Sequence, residues 1–152
     1  MKPRRSFARR APQAGVMLLE ALIAILIFSL GVLALVGLQT VSIRQSSEAK
    51  YRADALMYAN EIIGQMWVDN RTFANLSASY ATGGAAYNAW FARLQSNNSL
   101  PGAAANPPTI TTVVAGAAAD PSTLVTVQVR WKAPNEPPAD PAHSVTVVAQ
   151  IK

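Results

Sequence analysis

One carboxylate in this chain stands where an ionised group is energetically unfavourable. Glu20 is the only charged residue between Val16 and Leu38, and this segment is otherwise almost entirely apolar or alanine. A carboxylate within such a segment is disfavoured in lipid unless it has a partner, and it usually marks a functional site. Glu20, five residues after Gly15, is therefore the first candidate for a functional residue.

The apolar segment 16–38 has the length of a membrane span. As a helix its 23 residues would extend roughly 35 Å, enough to cross a hydrocarbon core of about 30 Å. Residues 1–15 contain no acid and five cations, namely Lys2, Arg4, Arg5, Arg9 and Arg10. This bias predicts a single-pass protein whose N-terminus stays cytoplasmic and whose C-terminal bulk is exported.

A secretory signal peptide would place its cleavage site after the apolar run. Here no convincing Ala-x-Ala site follows Leu38, whereas a candidate site, Gly15–Val16, precedes the run. We therefore expect the basic leader 1–15 to be removed and the apolar segment to remain as an anchor.

The sequence around this site resembles a known signal, carried by Gly15-Val16-Met17-Leu18-Leu19-Glu20 and the apolar residues 21–26. It is similar to the class III signal of type IV pilins and type II secretion pseudopilins, although these usually have Phe in place of Val16. The continuation 26–39 resembles minor pilins of the PilV type. The resemblance implies that prepilin peptidase cuts after Gly15 and that Val16 is N-methylated.

The resemblance also implies partners: the inner-membrane pilus assembly platform, other minor and major pilins, and the lipid bilayer. After cleavage Val16 would carry an α-amino cation, and Glu20 of one subunit could pair with Val16 of the next. Such a pair is strong in a medium of low dielectric constant, so it could set the register between stacked helices. The alternatives are that Glu20 reaches the membrane interface or pairs with its own N-terminus.

Composition excludes several other classes. The net charge of +5 comes from 13 basic and 8 acidic residues, but five cations lie in the leader, so the remainder is formally neutral. We predict no specific nucleic acid or small-molecule partner. With no cysteine and one histidine, no disulfide framework, cofactor or metal site is expected.

No arrangement of residues predicts catalysis. The chain has no Gly-x-Ser-x-Gly, His-Glu-x-x-His or phosphate-binding glycine loop, so we expect that it is not an enzyme. His143 is interpreted as a solvated loop residue that nothing nearby in sequence orients. Asp120-Pro121 and Asp140-Pro141 are interpreted as turn initiators.

These residues must be positioned by one long helix and a small sheet. No proline occurs between Pro12 and Pro101, so the helix is expected to continue through an amphipathic segment 39–68, with Leu56, Ile63 and Trp67 facing the sheet. Segment 69–86 is expected to be a connector. A short helix should follow, with an apolar face of Tyr87, Trp90, Phe91 and Leu94.

Strands are predicted at 109–114, 124–132 and 144–151, the last two with strict apolar and polar alternation. The expected fold is α+β and pilin-like, with the C-terminal half of the membrane-spanning helix packed on an antiparallel sheet of three or four strands. The α+β domain 69–152 should depend on the helix to close its core.

Three functions remain open. The first is a minor pilin that primes, assembles or caps a type IV pilus, with roles in twitching motility or adhesion at the cell surface. The second is a minor pseudopilin of a type II secretion system. The third is an uncleaved bitopic inner-membrane binding protein.

Overall fold

The computed structural model describes residues 14–97, 99–117, 120–134 and 136–152. The expected leader 1–15 therefore lies almost wholly outside the described residues. The chain divides into two compact units, one ending at Arg44 and one comprising Gln45–Lys152. Together they have an α+β layout, with one long apolar N-terminal helix and a small antiparallel sheet.

Helix α1 runs without interruption from Ala14 to Val68. Its continuity follows from the sequence, because no proline removes a backbone donor anywhere in this range. The helix passes through Leu38 and Gln39, where the apolar segment gives way to polar residues, without a change in backbone conformation. It is long and apolar enough to cross a membrane, with a window of mean hydropathy 2.8.

The C-terminal half of α1 contributes one face to the core of the second unit. The buried side chains recur every three or four residues, as Ala55, Tyr58, Ala59, Ile62, Ile63 and Met66. The face proposed from the sequence was partly wrong. Ile63 is buried, but Leu56 is 36% exposed and Trp67 is 45% exposed. Ala55 and Met66, each one position before Leu56 and Trp67, are the residues that are buried instead.

The connector after α1 is more ordered than the sequence indicates. Helix α2 occupies Phe73–Asn75 and continues directly into a π-helical turn, Leu76–Tyr80, whose two end residues are buried. The hydroxyl of Thr72 accepts a hydrogen bond from the backbone N–H of Asn75 and so caps α2.

Helix α3 spans Ala85–Ser96, and the expected apolar face is confirmed. Tyr87, Trp90 and Leu94 are buried, and Phe91 is partly buried against the same core.

The sheet has the order β1-β2-β3 and is antiparallel throughout. Its strands are β1 (Thr109–Ala117), β2 (Asp120–Trp131) and β3 (His143–Ile151). The three predicted strands are thus confirmed, each longer than expected at one end or both. Asp120-Pro121 was wrongly interpreted as a turn, because both residues lie within β2 and pair with β1.

The inner face of the sheet supplies the other half of the core. Along β2 the buried residues alternate as Val125, Val127, Val129 and Trp131, as the sequence predicts. Hydrogen bonds from the loops close the edges of this core. The hydroxyl of Tyr87 donates to the carbonyl of Pro108 at 2.7 Å, and the backbone N–H of Ile110 donates to the hydroxyl of Thr82 at 2.8 Å.

Candidate functional site

The residues predicted to be processed lie at the very start of α1. Gly15 and Val16 belong to its first turn, and Glu20 follows Val16 by one helical turn, on the same side of the helix. A Cβ atom built on Gly15 meets no other atom within 4 Å. Packing among the described residues therefore gives no reason for a glycine at this position, and the same holds for Gly31, Gly37 and Gly64 of α1.

Glu20 has an apolar environment. It lies in a shallow groove along one face of α1 that is otherwise lined by Val16, Leu19, Ile23, Ala24 and Ile27. Within the part of the chain that the structure describes, Glu20 forms no ion pair. Its side chain is exposed. The carboxylate is thus free to meet a cation from outside the described chain.

The surface of the first unit is almost entirely hydrocarbon. Every described residue from Val16 to Leu38 is exposed, including large side chains such as Leu26, Phe28 and Leu33. A contiguous apolar surface of this extent is incompatible with full exposure to water and requires lipid or protein around it. Two hydroxyls within the helix are satisfied locally, since Ser29 donates to the carbonyl of Ile25 and Thr40 to that of Val36.

Open depressions on the described surface of the second unit include the following two. The larger, about 640 Å³, is lined by Glu61, Gln65, Asp69 and Tyr80 among others. The hydroxyl of Tyr80 donates to Asp69 at 2.8 Å. The backbone N–H of Asn70 and this hydroxyl lower the pKa of Asp69, whereas burial and the Asp69 carboxylate raise the pKa of Tyr80 to about 12. Both groups keep one protonation state near neutrality, which is unsuited to proton transfer.

The other depression, about 490 Å³, lies beside the ends of the sheet. Arg71 on its rim donates to the main-chain oxygen of Lys152 at 2.7 Å, and the Lys152 ammonium contacts Asp120. The first contact holds the chain after β3 against the connector, and the second holds it against β2. Both cations therefore have structural partners, and the depression shows no arrangement that would select a ligand.

His143 was wrongly interpreted as a solvated loop residue without orienting partners. It is the first residue of β3, stacks on Trp131 and contacts the carboxylates of Glu136 and Glu48. No pattern in the sequence could have identified this cluster, because its members come from α1, the β2–β3 loop and two strands.

The described residues contain no cluster of three or more side chains suited to hold a metal ion. The structure places Gly15, Val16 and Glu20 within the first two turns of one helix. No known protein family, curated protein or solved structure matches the chain.

Proposed function

We propose that this chain is a minor pilin of a type IV pilus, most similar to the PilV type. It is cut by prepilin peptidase after Gly15, N-methylated at Val16, and held in the filament core by its apolar helix. Glu20 of one subunit pairs with the α-amino group of Val16 in a neighbouring subunit. The protein begins in the inner membrane, with its C-terminal domain in the periplasm, and then enters the pilus.

The observation that carries the proposal is the placement of Glu20 in an exposed apolar helix, five residues after Gly15 at the start of that helix. Burying a lone carboxylate in lipid or among apolar helices costs several kcal/mol unless a cation accompanies it. Cleavage after Gly15 would create such a cation at the start of the same helix. Cleavage would therefore create the cation, and polymerisation would bring it next to Glu20 of another subunit.

The α+β layout supports the proposal at the level of architecture. The apolar half of α1 is available for a filament core, and its other half is built into the core of a separate folded unit. The same layout is compatible with a minor pseudopilin of a type II secretion system and with an uncleaved bitopic protein, so the experiments must separate these three.

The first experiment determines the intact mass and N-terminal sequence of the protein from membranes and from sheared surface filaments. We expect an N-methylated Val16 terminus in the filament fraction. An intact leader in protein confined to membranes would favour the bitopic alternative. A secretion defect without loss of pili or twitching on deletion would favour the pseudopilin.

Two substitutions test the assigned residues. Gly15→Ala should block cleavage and leave the leader attached, although the helix accommodates the extra methyl group without a clash. Glu20→Ala should permit cleavage and reduce incorporation into filaments, whereas Glu20→Asp, which keeps the charge, should retain more incorporation. Normal incorporation of Glu20→Ala would refute the intersubunit pair.

A further inference from the structure

A cluster of titratable groups surrounds His143 in the unit Gln45–Lys152. Nε2 of the imidazole lies 2.6 Å from Oε1 of Glu136, in the β2–β3 loop, and Nδ1 lies 3.6 Å from Oε1 of Glu48, on α1. Trp131 is the cross-strand partner of His143, and the two rings stack with their centroids 5.7 Å apart. One imidazole thus contacts the helix, the sheet and the loop.

The chemistry of the ring makes these contacts depend on its charge. A carboxylate only accepts hydrogen bonds, and both ring nitrogens of His143 face one. An imidazolium has two N–H donors and can serve both carboxylates, whereas a neutral imidazole has one donor and one lone pair. The shorter contact keeps the remaining proton on Nε2, toward Glu136. The lone pair of Nδ1 then faces Glu48, and that contact becomes repulsive.

We propose that His143 is a pH-operated link between helix α1 and the β2–β3 loop. Protonated, it binds Glu48 and Glu136 together; neutral, it keeps Glu136 and releases Glu48. An imidazole changes its charge between about pH 5 and 8, so the link closes in mild acid and opens in mild alkali. This inference does not depend on the proposed pilin function.

The neighbouring charges determine which contact is released. Glu136 is 26% exposed and Glu48 is 60% exposed, so the second carboxylate regains water more readily. Lys132 is the cation next to Glu136, and its ammonium donates to the carbonyls of Pro138 and Asp140 at 2.8 Å each. These bonds hold the loop in place whatever the charge of His143. Trp131 adds a favourable ring face for the imidazolium.

Glu136 itself stays ionised across this range. Burial acts to raise its pKa, but the hydrogen bonds from His143 and from the backbone N–H of Ala133 outweigh burial, and the pKa is lowered. The charge that changes therefore belongs to the imidazole.

The test uses the full chain in detergent micelles, unfolded with urea at about pH 5.5 and about pH 8 and followed by tryptophan fluorescence. For a partly exposed ion pair we expect the unfolding equilibrium constant to be about two- to fivefold larger at the higher pH. In Glu48→Gln the side-chain amide can donate to the neutral Nδ1, so this pH difference should become smaller, and the contact with Glu136 should retain the remainder. An undiminished difference in Glu48→Gln, or none in the wild type, would overturn the proposal.

Glu61→Gln is the matched control. Glu61 also lies on α1 and forms an ion pair, with Arg93 at 3.1 Å, in which no histidine takes part. This variant should keep the pH difference of the wild type, and loss of the difference would count against the link.

A second measurement does not depend on unfolding. His143 is the only histidine, so ¹⁵N spectra of the labelled full chain contain one pair of ring signals. At about pH 8 we expect the proton on Nε2, and at about pH 5.5 protons on both nitrogens. A proton on Nδ1 at the higher pH would reverse the assigned contacts and refute the proposal.

Discussion

At the scale of single residues, the carboxylates of this chain have very different environments. Glu20 has only apolar neighbours in the described structure, whereas Glu136 has an imidazole and a backbone N–H. Among the described residues Glu20 has no ion-pair partner, whereas Glu136 has its partners within the chain. Only Glu136, whose hydrogen-bond partners lie within the described chain, allows a direct prediction about stability.

Glu136 should make the stability of the second unit depend on pH in the acidic range. Its pKa in the folded chain lies below the ordinary value of 4.5, so its contribution is present above about pH 4.5 and is lost as the pH falls through the folded value. Glu136→Gln should therefore flatten the loss of stability in urea titrations between about pH 5 and 3. Asp140→Asn, in the same loop, is the control; identical profiles for wild type and Glu136→Gln would contradict the prediction.

Two glycines differ in what their backbone positions demand. A Cβ on Gly84, the residue before α3, would lie 2.3 Å from the carbonyl oxygen of Ser79, whereas a Cβ on Gly64 within α1 meets nothing within 4 Å. Gly84→Ala should destabilise the unit by at least about 1–3 kcal/mol, because backbone must shift. Gly64→Ala should stabilise it by up to about 1 kcal/mol through helix propensity. Urea unfolding measures both, and equal effects would contradict this account.

At the scale of elements, α1 is one helix with two kinds of surface. Its N-terminal part presents apolar side chains on all sides, and its C-terminal part buries a single stripe against the sheet. Within the C-terminal part, large apolar residues lie on the packed face and also outside it. Trp67 and Leu56 stay exposed, whereas two alanines are buried completely.

Substitutions can test the position of this stripe. Ile62 is fully buried, so Ile62→Ala should lower the free energy of unfolding by about 2–5 kcal/mol through lost burial and the cavity that remains. Leu56→Ala removes a side chain of the same size from the exposed edge and should have a much smaller effect. Urea or thermal unfolding compares the two variants, and a larger loss for Leu56→Ala would restore the stripe expected from the sequence.

At the scale of the whole molecule, the boundary at Arg44 separates parts with different solvent requirements. The unit Gln45–Lys152 has its own core, to which α1 contributes six buried side chains: Ala55, Tyr58, Ala59, Ile62, Ile63 and Met66. Tyr58 also accepts hydrogen bonds from Asn97 and Ser99. The C-terminal half of α1 is therefore part of this folded unit as well as a continuation of the apolar segment.

Two fragments of the chain should therefore differ in whether they fold on their own. A fragment of residues 45–152 should unfold cooperatively in water without detergent, because its core is complete. A fragment of residues 69–152 should not, because it lacks one side of that core and is small for an independent domain. Circular dichroism and thermal unfolding distinguish the two, and cooperative unfolding of 69–152 would show that the helix is dispensable.

The sequence by itself determined what local periodicity and composition control. The long helix, the aromatic face of α3, the three strands and the alternation along β2 follow from spacing within each segment, since helices and strands repeat every 3.6 and 2 residues. The candidate site Gly15, Val16 and Glu20 was likewise accessible, because its members are neighbours in the chain and one of them is a charge among apolar residues.

Only the tertiary structure decided which surfaces meet. The alanine-lined face of α1 belongs to a core built from segments far apart in the chain, and the pairing of Asp120-Pro121 with Gly116 and Ala117 depends on the register between β1 and β2. The contacts of His143 depend on the packing of segments that are far apart in the chain, since α1, β2, β3 and one loop meet at its ring. Periodicity shows which side of an element is apolar, but the partner of a polar group is fixed by distances that arise when the chain folds.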